Sequence, residues 1–368
     1  MFLALRDLRF ARGRFALMGI VVGLIAVLAV LLTGLANGLV NDGVSALRTM
    51  PATHLAFEPG VQGNLFSRSS VDPAEARRWS QVPGVREATP YGNTLAHAKE
   101  AHTGKDVDIA VFGVEPGSFL APEPDTGRPL EAGTDGVLVS RKLTDEGIKV
   151  GDTLVVERSE VRLPVVGTVG DASYGHVAGV YAPLKTWQRI QYGLPGEPPA
   201  AAFEVATAIA LDGEPGSGAP DAQVLSVEES YGHSPGYTAE QSTMKMIQFF
   251  LYVISMFVVG AFFVVWTVQR KDEIALVRAL GGSVGYLVRD AVAQVLVVLV
   301  SATVAGAALG AGLVALIMST APAMPIALVP GPIVTAMALL IALGVLGAVA
   351  ALRKITSTDP LLALGGNR

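Results

Sequence analysis

The 368-residue chain contains no cysteine, which excludes a disulfide framework, a thiol nucleophile and any Cys-ligated zinc or iron–sulfur centre. Charge is also scarce. Asp, Glu, Lys and Arg make up 16% of the residues and the formal net charge is −5, so no basic surface of the kind that selects nucleic acid is present. There is no G-x-x-x-x-G-K-[ST] loop to cradle a nucleotide. The 41 Gly and 22 Pro follow no collagen-like period, which removes a fibrous reading. What is abundant is apolar surface: 51% of the residues are hydrophobic and the mean hydropathy is +0.48. These features together point to a membrane protein.

A bilayer crossing needs ~20 apolar residues, and four stretches qualify, beginning near Ala16, Ile247, Ala291 and Ile333. They divide the chain into an N-terminus and first span (1–40), a large loop (41–243), a second span (244–268), a connector (269–290), a third span (291–318), a short loop (319–332), a fourth span (333–352) and a tail (353–368). The N-terminal basic start and apolar run look like a secretory signal, but the run is too long and no A-x-A-like site ends it. It is read as an uncleaved anchor. Lys and Arg near span ends set orientation. Arg6, Arg9, Arg12 and Arg14 precede the first span, Arg270, Lys271, Arg278 and Arg289 lie in the connector, and Arg353 and Lys354 follow the fourth span. Both termini and the connector are therefore expected in the cytoplasm, with 41–243 outside. That segment holds 27 acidic against 15 basic residues and all five histidines.

The outer segment reads as an α+β domain without internal repeats. Val107–Val114, Val137–Ser140, Thr153–Glu157, Arg162–Val169 and Phe203–Leu211 have strand character. Arg141–Gly147 and Lys185–Tyr192 suit short helices, and Asp72 with Glu75 suggests a capping box. Catalysis is not indicated. Ser140, Ser173 and Ser226 lack a G-x-S-x-G context, His97 and His102 lack an H-E-x-x-H pattern, and Glu228-Glu229 is read as a solvated acidic pair. No permanently bound cofactor is expected.

The connector is more informative. Asp272 and Glu273 suit a helix N-terminus, Ile274, Val277 and Leu280 form an apolar stripe, and Gly281 and Gly282 stop the helix. With Arg278 between them, these residues describe a short amphipathic helix whose apolar face is available to a partner. Small-residue pairs Gly19/Gly23, Gly34/Gly38 and Gly306/Gly310 mark faces suited to close helix packing, read here as support for dimerisation.

The string RKDEIALVRALGGS resembles the coupling segment of FtsX-like permeases, the family that includes the MacB and LolC types. The tail Arg353-Lys-Ile-Thr-Ser-Thr-Asp-Pro-Leu-Leu-Ala-Leu is similar to that family's DP-x-x-AL ending, and VLVSRKLTDEGIKVGDTLVV resembles a stretch of its outer domain. The resemblance spans essentially the whole chain. It implies an α-helical membrane protein with four transmembrane helices and a large α+β extracytoplasmic domain between helices 1 and 2. It further implies one half of a homodimer in a bacterial plasma membrane, paired with two cytoplasmic ABC ATPase subunits that use the ATP. Asp272 to Gly281 would contact the ATPase. The chain departs from the fused MacB type in holding no nucleotide loop of its own.

The N-terminal style, LRDLRFARGRFALMGI with LTGLANGL, resembles the haem-exporting and DevC-type branch. Beside that stands a physical reading. Met50, His54, Phe57 and Glu58 follow the first span, while Tyr237, Met244 and Met246 precede the second. Methionine, histidine and carboxylate donors can ligate haem iron, which makes His54, Glu58 and Met50 candidate ligands and Phe57 and Tyr237 candidate ring contacts. Haem is then a transported substrate. Lipid, lipoprotein, peptide or antibiotic efflux, and a non-transporting lever that activates a cell-wall hydrolase, are the alternatives.

Overall fold

The computed structural model describes residues 12–269, 284–321 and 324–356. They form two compact units, one of residues 39–240 and one combining the described parts of 1–38 and 241–368. The coupling residues Asp272, Glu273, Ile274, Val277, Arg278, Leu280 and Gly281 lie outside the described residues, as does the tail from 357 onward.

Four long helices carry the membrane unit: α1 (Arg12–Arg48), and, later in the chain, segments Tyr237–Gln269, Val284–Thr320 and Pro330–Thr356. Each contains a window long and apolar enough to cross a bilayer. They run past the limits set by hydropathy because helix propensity continues into polar flanks that hydropathy does not count. α1 extends eight residues beyond Val40, with a non-helical backbone at Val44 (φ −143°, ψ 19°).

The glycines explain how these helices pack. A Cβ at Gly306 would come within 3 Å of the Gly23 carbonyl and the Ala26 methyl, and one at Gly310 would lie 2.9 Å from Val30 Cβ. Gly23 in turn lies against the Ala302 carbonyl, and Gly34 and Gly38 pack on Ile326 and Pro325. The small-residue faces expected at a dimer contact are thus used within one chain, to seat the first span on the third and on the segment after it. Close backbone approach is what small residues supply in lipid, where no hydrophobic force separates helix from solvent. Gly344 lies on Leu299 and Gly347 on Met256, which places the fourth span against the third and the second.

The outer unit is built on eleven strands. In chain order its elements are β1 (His54–Phe57), α2 (Leu65–Arg68), α3 (Ala76–Trp79), β2 (Val85–Glu100), β3 (Asp106–Val114), β4 (Thr126–Gly127), β5 (Val137–Ser140), α4 (Arg141–Asp145), β6 (Thr153–Val156), β7 (Arg162–Val169), β8 (Ser173–Tyr174), β9 (Val177–Pro183), α5 (Leu184–Tyr192), β10 (Ala208–Gly213), β11 (Gln223–Ser226) and α6 (Val227–Ser230). The three remaining long helices are α7 (Tyr237–Gln269), α8 (Val284–Thr320) and α9 (Pro330–Thr356).

Strands β2, β3, β9, β5, β7 and β6 pair in a closed ring, since β6 joins both β7 and β2. Side-chain alternation divides their residues cleanly. Ala98, Ile109, Val111, Val139, Leu154, Leu163, Val165 and Val180 fill the interior, whereas Ala110, Phe112, Val114, Leu138 and Tyr181 face a second core shared with Val44, Ala46 and Leu47 of α1. Trp187 of α5 covers Gly92 and Gly113, which are paired across β2 and β3. A side chain at either glycine would collide with the indole.

β2 is 16 residues long and also pairs through its first half with β10, which continues to β1 and β11. It crosses Thr89-Pro-Tyr-Gly-Asn93, a string that reads locally as a turn; the neighbours on both sides override that propensity. The expected strand Phe203–Leu211 is shorter, β10 beginning at Ala208 after a 3₁₀ turn at Ala200–Phe203. Asp72 caps a single 3₁₀ turn by accepting from Ala74 N–H. The reciprocal capping box lies at Ser226 and Glu229 instead.

Candidate functional site

Two features of the outer unit carry chemistry. The first is a clasp of four charged or titratable side chains. His176 is at the tip between β8 and β9 with a left-handed backbone (φ 68°), a conformation uncommon outside glycine. Its Nε2 lies 2.9 Å from Glu240 Oε1, and its Nδ1 lies 3.3 Å from Asp42 Oδ2. Lys142 Nζ donates to Asp42 Oδ1 at 2.6 Å and to the His176 carbonyl at 2.9 Å. Asp42 belongs to α1, Glu240 to the first turn of α7, Lys142 to α4 and His176 to a hairpin of the sheet. Each ring nitrogen thus faces a different carboxylate. Nearby, Gly175 N–H donates to the Gly43 carbonyl and Ser173 N–H to Ser45 Oγ. The outer ends of both flanking helices are thereby bonded to the sheet.

The second feature is a cavity of about 460 Å³ on the outside of the barrel, under the end of α1. Thr49 and Met50 are part of its lining, together with the aromatic residues Tyr91, Phe112, Phe119 and Tyr181. Phe112 is tilted against Tyr181 with centroids 5.0 Å apart and stacked with Tyr91 at 6.4 Å. Tyr91 Oη accepts from Asn93 Nδ2. Burial pushes the Tyr181 phenol up to about 12 and raises that of Tyr91 well above its ordinary value, so both stay neutral.

Of the seven residues proposed around haem, Met50 reaches this cavity. His54 stands on β1, its Nδ1 3.0 Å from the Gly213 carbonyl and 3.1 Å from Thr53 Oγ1. Phe57 is fully buried edge-on to Phe66, and Glu58 accepts from Ser70 N–H. Tyr237 packs edge-on against Tyr231. Met244 and Met246 sit on α7 in the membrane unit, the latter exposed. His54, Phe57 and Glu58 thus already serve the sheet and its loops. Glu229, expected as half of a solvated pair, accepts from the Ser226 backbone and hydroxyl, which holds its carboxyl below the usual range.

One exposed group has metal-like spacing: His97, Asp106 and Glu157. Lys99 Nζ lies 2.7 Å from Glu157 and 3.6 Å from Asp106, so an ammonium already supplies the positive charge there. His97 donates to Asp108 at 2.7 Å, and that bond raises its pKa. The protonated form this favours is a poor metal ligand.

The clasp and the cavity were invisible in the sequence because their members are far apart in it: Asp42 and His176 are separated by 134 residues. The one local signal is His176 itself, directly after Gly175 in a tight hairpin.

Four helices long and apolar enough to cross a membrane, with a large α/β domain between the first and second, define a multi-pass membrane protein. The profile of the MacB-like periplasmic core domain matches residues 15–216, and that of the FtsX-like permease C-terminal region matches 245–360. The chain belongs to the FtsX/MacB-like family of ABC transporter permeases. A Staphylococcus haemolyticus relative bearing the name hemin transport system permease protein HrtB is 23% identical, the match covering 99% of both chains. An uncharacterized ABC transporter permease of Mycobacterium tuberculosis is 26% identical over 100% of this chain and 99% of its own. Among solved structures, the periplasmic region of MacB from Actinobacillus actinomycetemcomitans matches 50% of this chain and 92% of its own at 13% identity and a TM-score of 0.35. The extracellular domain of the noncanonic ABC-type transporter YknZ matches 44% and 83% at 14% identity and a TM-score of 0.33.

Proposed function

We propose that the chain is the permease half of an efflux system in a bacterial plasma membrane. It works as a homodimer with both termini cytoplasmic, driven by a separate ATPase that engages the 269–290 connector. The cargo is haem or another hydrophobic molecule drawn from the membrane. One observation carries this reading: both helices that flank the outer domain continue into it, and the His176 clasp bonds their ends to its sheet. Motion started by ATP hydrolysis on one side is thereby passed to the other as displacement of a domain, without a nucleotide site in this chain. The names of the HrtB relatives support haem over other hydrophobic cargoes.

The test is the visible spectrum of the purified protein during haemin titration. A Soret shift saturating at a fixed stoichiometry, altered by His54→Ala with Glu58→Ala or by alanine at Met50, Met244 and Met246, is the expected result. Unchanged spectra in all variants, with unchanged haem tolerance in cells, would favour lipid efflux or control of a cell-wall hydrolase.

A further inference from the structure

The cavity under α1 has a charge asymmetry that the haem reading does not use. Its mainly apolar lining includes four aromatic residues, Tyr91, Phe112, Phe119 and Tyr181, and two exposed carboxylates, Glu123 and Asp171. No Lys, Arg or His lines it. Neither carboxylate has an ion-pair partner among the described residues, unlike Asp212, paired by Arg86, and Asp135, paired by Arg189. The Tyr181 hydroxyl also has no hydrogen-bond partner among the described residues, and the ring stands half-buried against Phe112.

Aromatic faces carry partial negative charge and attract cations, more strongly once water is excluded. Carboxylates at the rim add a longer-range attraction of the same sign. An anionic ligand meets the opposite: its charge would have to be desolvated beside two carboxylates with nothing to pair it. Haem, with two propionates, is disfavoured here for that reason. The volume falls in the ~300–1,000 Å³ range of small-molecule sites.

We propose that this cavity is a binding site for a lipophilic monovalent cation, an organic cation whose apolar body fills the aromatic walls and whose charge lies toward Glu123 and Asp171. The site shares Met50 with the haem candidates but takes a ligand of opposite charge, and it stands whether or not haem is the cargo. Its ligand reaches α1 directly, because Ala46, Thr49 and Met50 of that helix and the turn after it form one wall. Occupancy would therefore bear on the same helix that the clasp holds.

Two ions of the same size and shape but opposite charge test this: tetraphenylphosphonium and tetraphenylborate. Each is equilibrated by dialysis with the full chain in lipid nanodiscs, and the uptake of empty discs is subtracted. The phosphonium is expected to bind saturably with one site per chain, the borate without saturation. Glu123→Gln with Asp171→Asn, both at exposed positions that leave folding intact, should weaken phosphonium binding about tenfold. Ala121→Trp should abolish it by filling the cavity. Equal saturable binding of both ions would overturn the proposal. So would phosphonium binding that neither the charge variant nor Ala121→Trp alters. Haemin titrated into the double charge variant should behave as with the parent chain, so failure of one reading is separable from failure of the other.

Discussion

Replacing His176 isolates the energetics of the clasp, because its two contributions oppose one another. The side chain bonds two half-buried carboxylates, Glu240 and Asp42. Bonds to charged groups at such partial exposure contribute about 1 kcal/mol each. Its left-handed backbone (φ 68°) costs about 1 kcal/mol relative to glycine. His176→Ala loses both bonds and keeps the strain, a deficit of about 2 kcal/mol; His176→Gly loses the bonds but relieves the strain, a net of about 1 kcal/mol. For a domain near 200 residues each kcal/mol is about 2–4 °C in Tm. Thermal unfolding of a 39–240 fragment, which contains all four clasp residues, should therefore rank parent above Gly above Ala. In the full assembly both variants should retain ATPase turnover while export falls, since the motor is untouched and the linkage is loosened. A glycine variant no better than alanine would refute the strain argument. Export unaffected by either would refute the clasp as a transmission element.

Two further outcomes follow from the same structure, and a third from the sequence of the connector. Gly306→Val should separate the first and third spans, because even a Cβ there meets the Gly23 carbonyl; overpacking of this kind costs about 1–3 kcal/mol and should appear as a lower detergent melting temperature, with Gly312→Val, which has open space at its Cβ, as the neutral control. Glu100 is buried and accepts from the Thr103 hydroxyl first, then from the His102 and Thr103 backbone N–H groups, which lowers its pKa from 4.5 to about 2. Its folded-state value is depressed, so its contribution is full above pH 4.5 and lost as pH falls toward 2; the Tm gap between parent and Glu100→Gln should be constant near neutrality and close across that window. Asp at Ile274, Val277 or Leu280 should abolish ATPase stimulation while leaving membrane insertion intact, and persistence of both stimulation and export would make the connector a passive link.

What was legible in the sequence was whatever repeats locally. The spans were readable because a bilayer demands length, β3 and β7 because Val107–Val114 and Arg162–Val169 alternate with the pleat, and β5 because Val137–Ser140 is a short apolar run. β2 was not, since Pro90, Gly92 and Asn93 oppose strand formation until β10 and β3 pair with it and Trp187 needs Gly92 bare. The small-residue stripes were correctly read as close-packing faces, but the pattern does not say against what: Gly306 and Gly310 meet their own chain's first span. Glu229 looked solvated because Glu228-Glu229 reads as a pair, although Ser226-Val-Glu-Glu229 carries the S-x-x-E signature of the capping box it forms. The clasp and cavity are products of topology alone.

Closure of the barrel has a consequence for what can dock outside the membrane. A ring of six strands leaves no unpaired backbone row along its wall. Among the described residues the remaining borders are β11, four residues long, β4 and β8, two each, and the first half of β2, which only β10 pairs. A protein arriving from outside therefore finds almost nowhere to add a strand of its own, and strand addition is the recognition mode least sensitive to side-chain identity. Whatever engages this domain must read its loops and side chains, so partners should be discriminated by sequence at the contact, and point changes there should switch partner choice without disturbing the fold beneath.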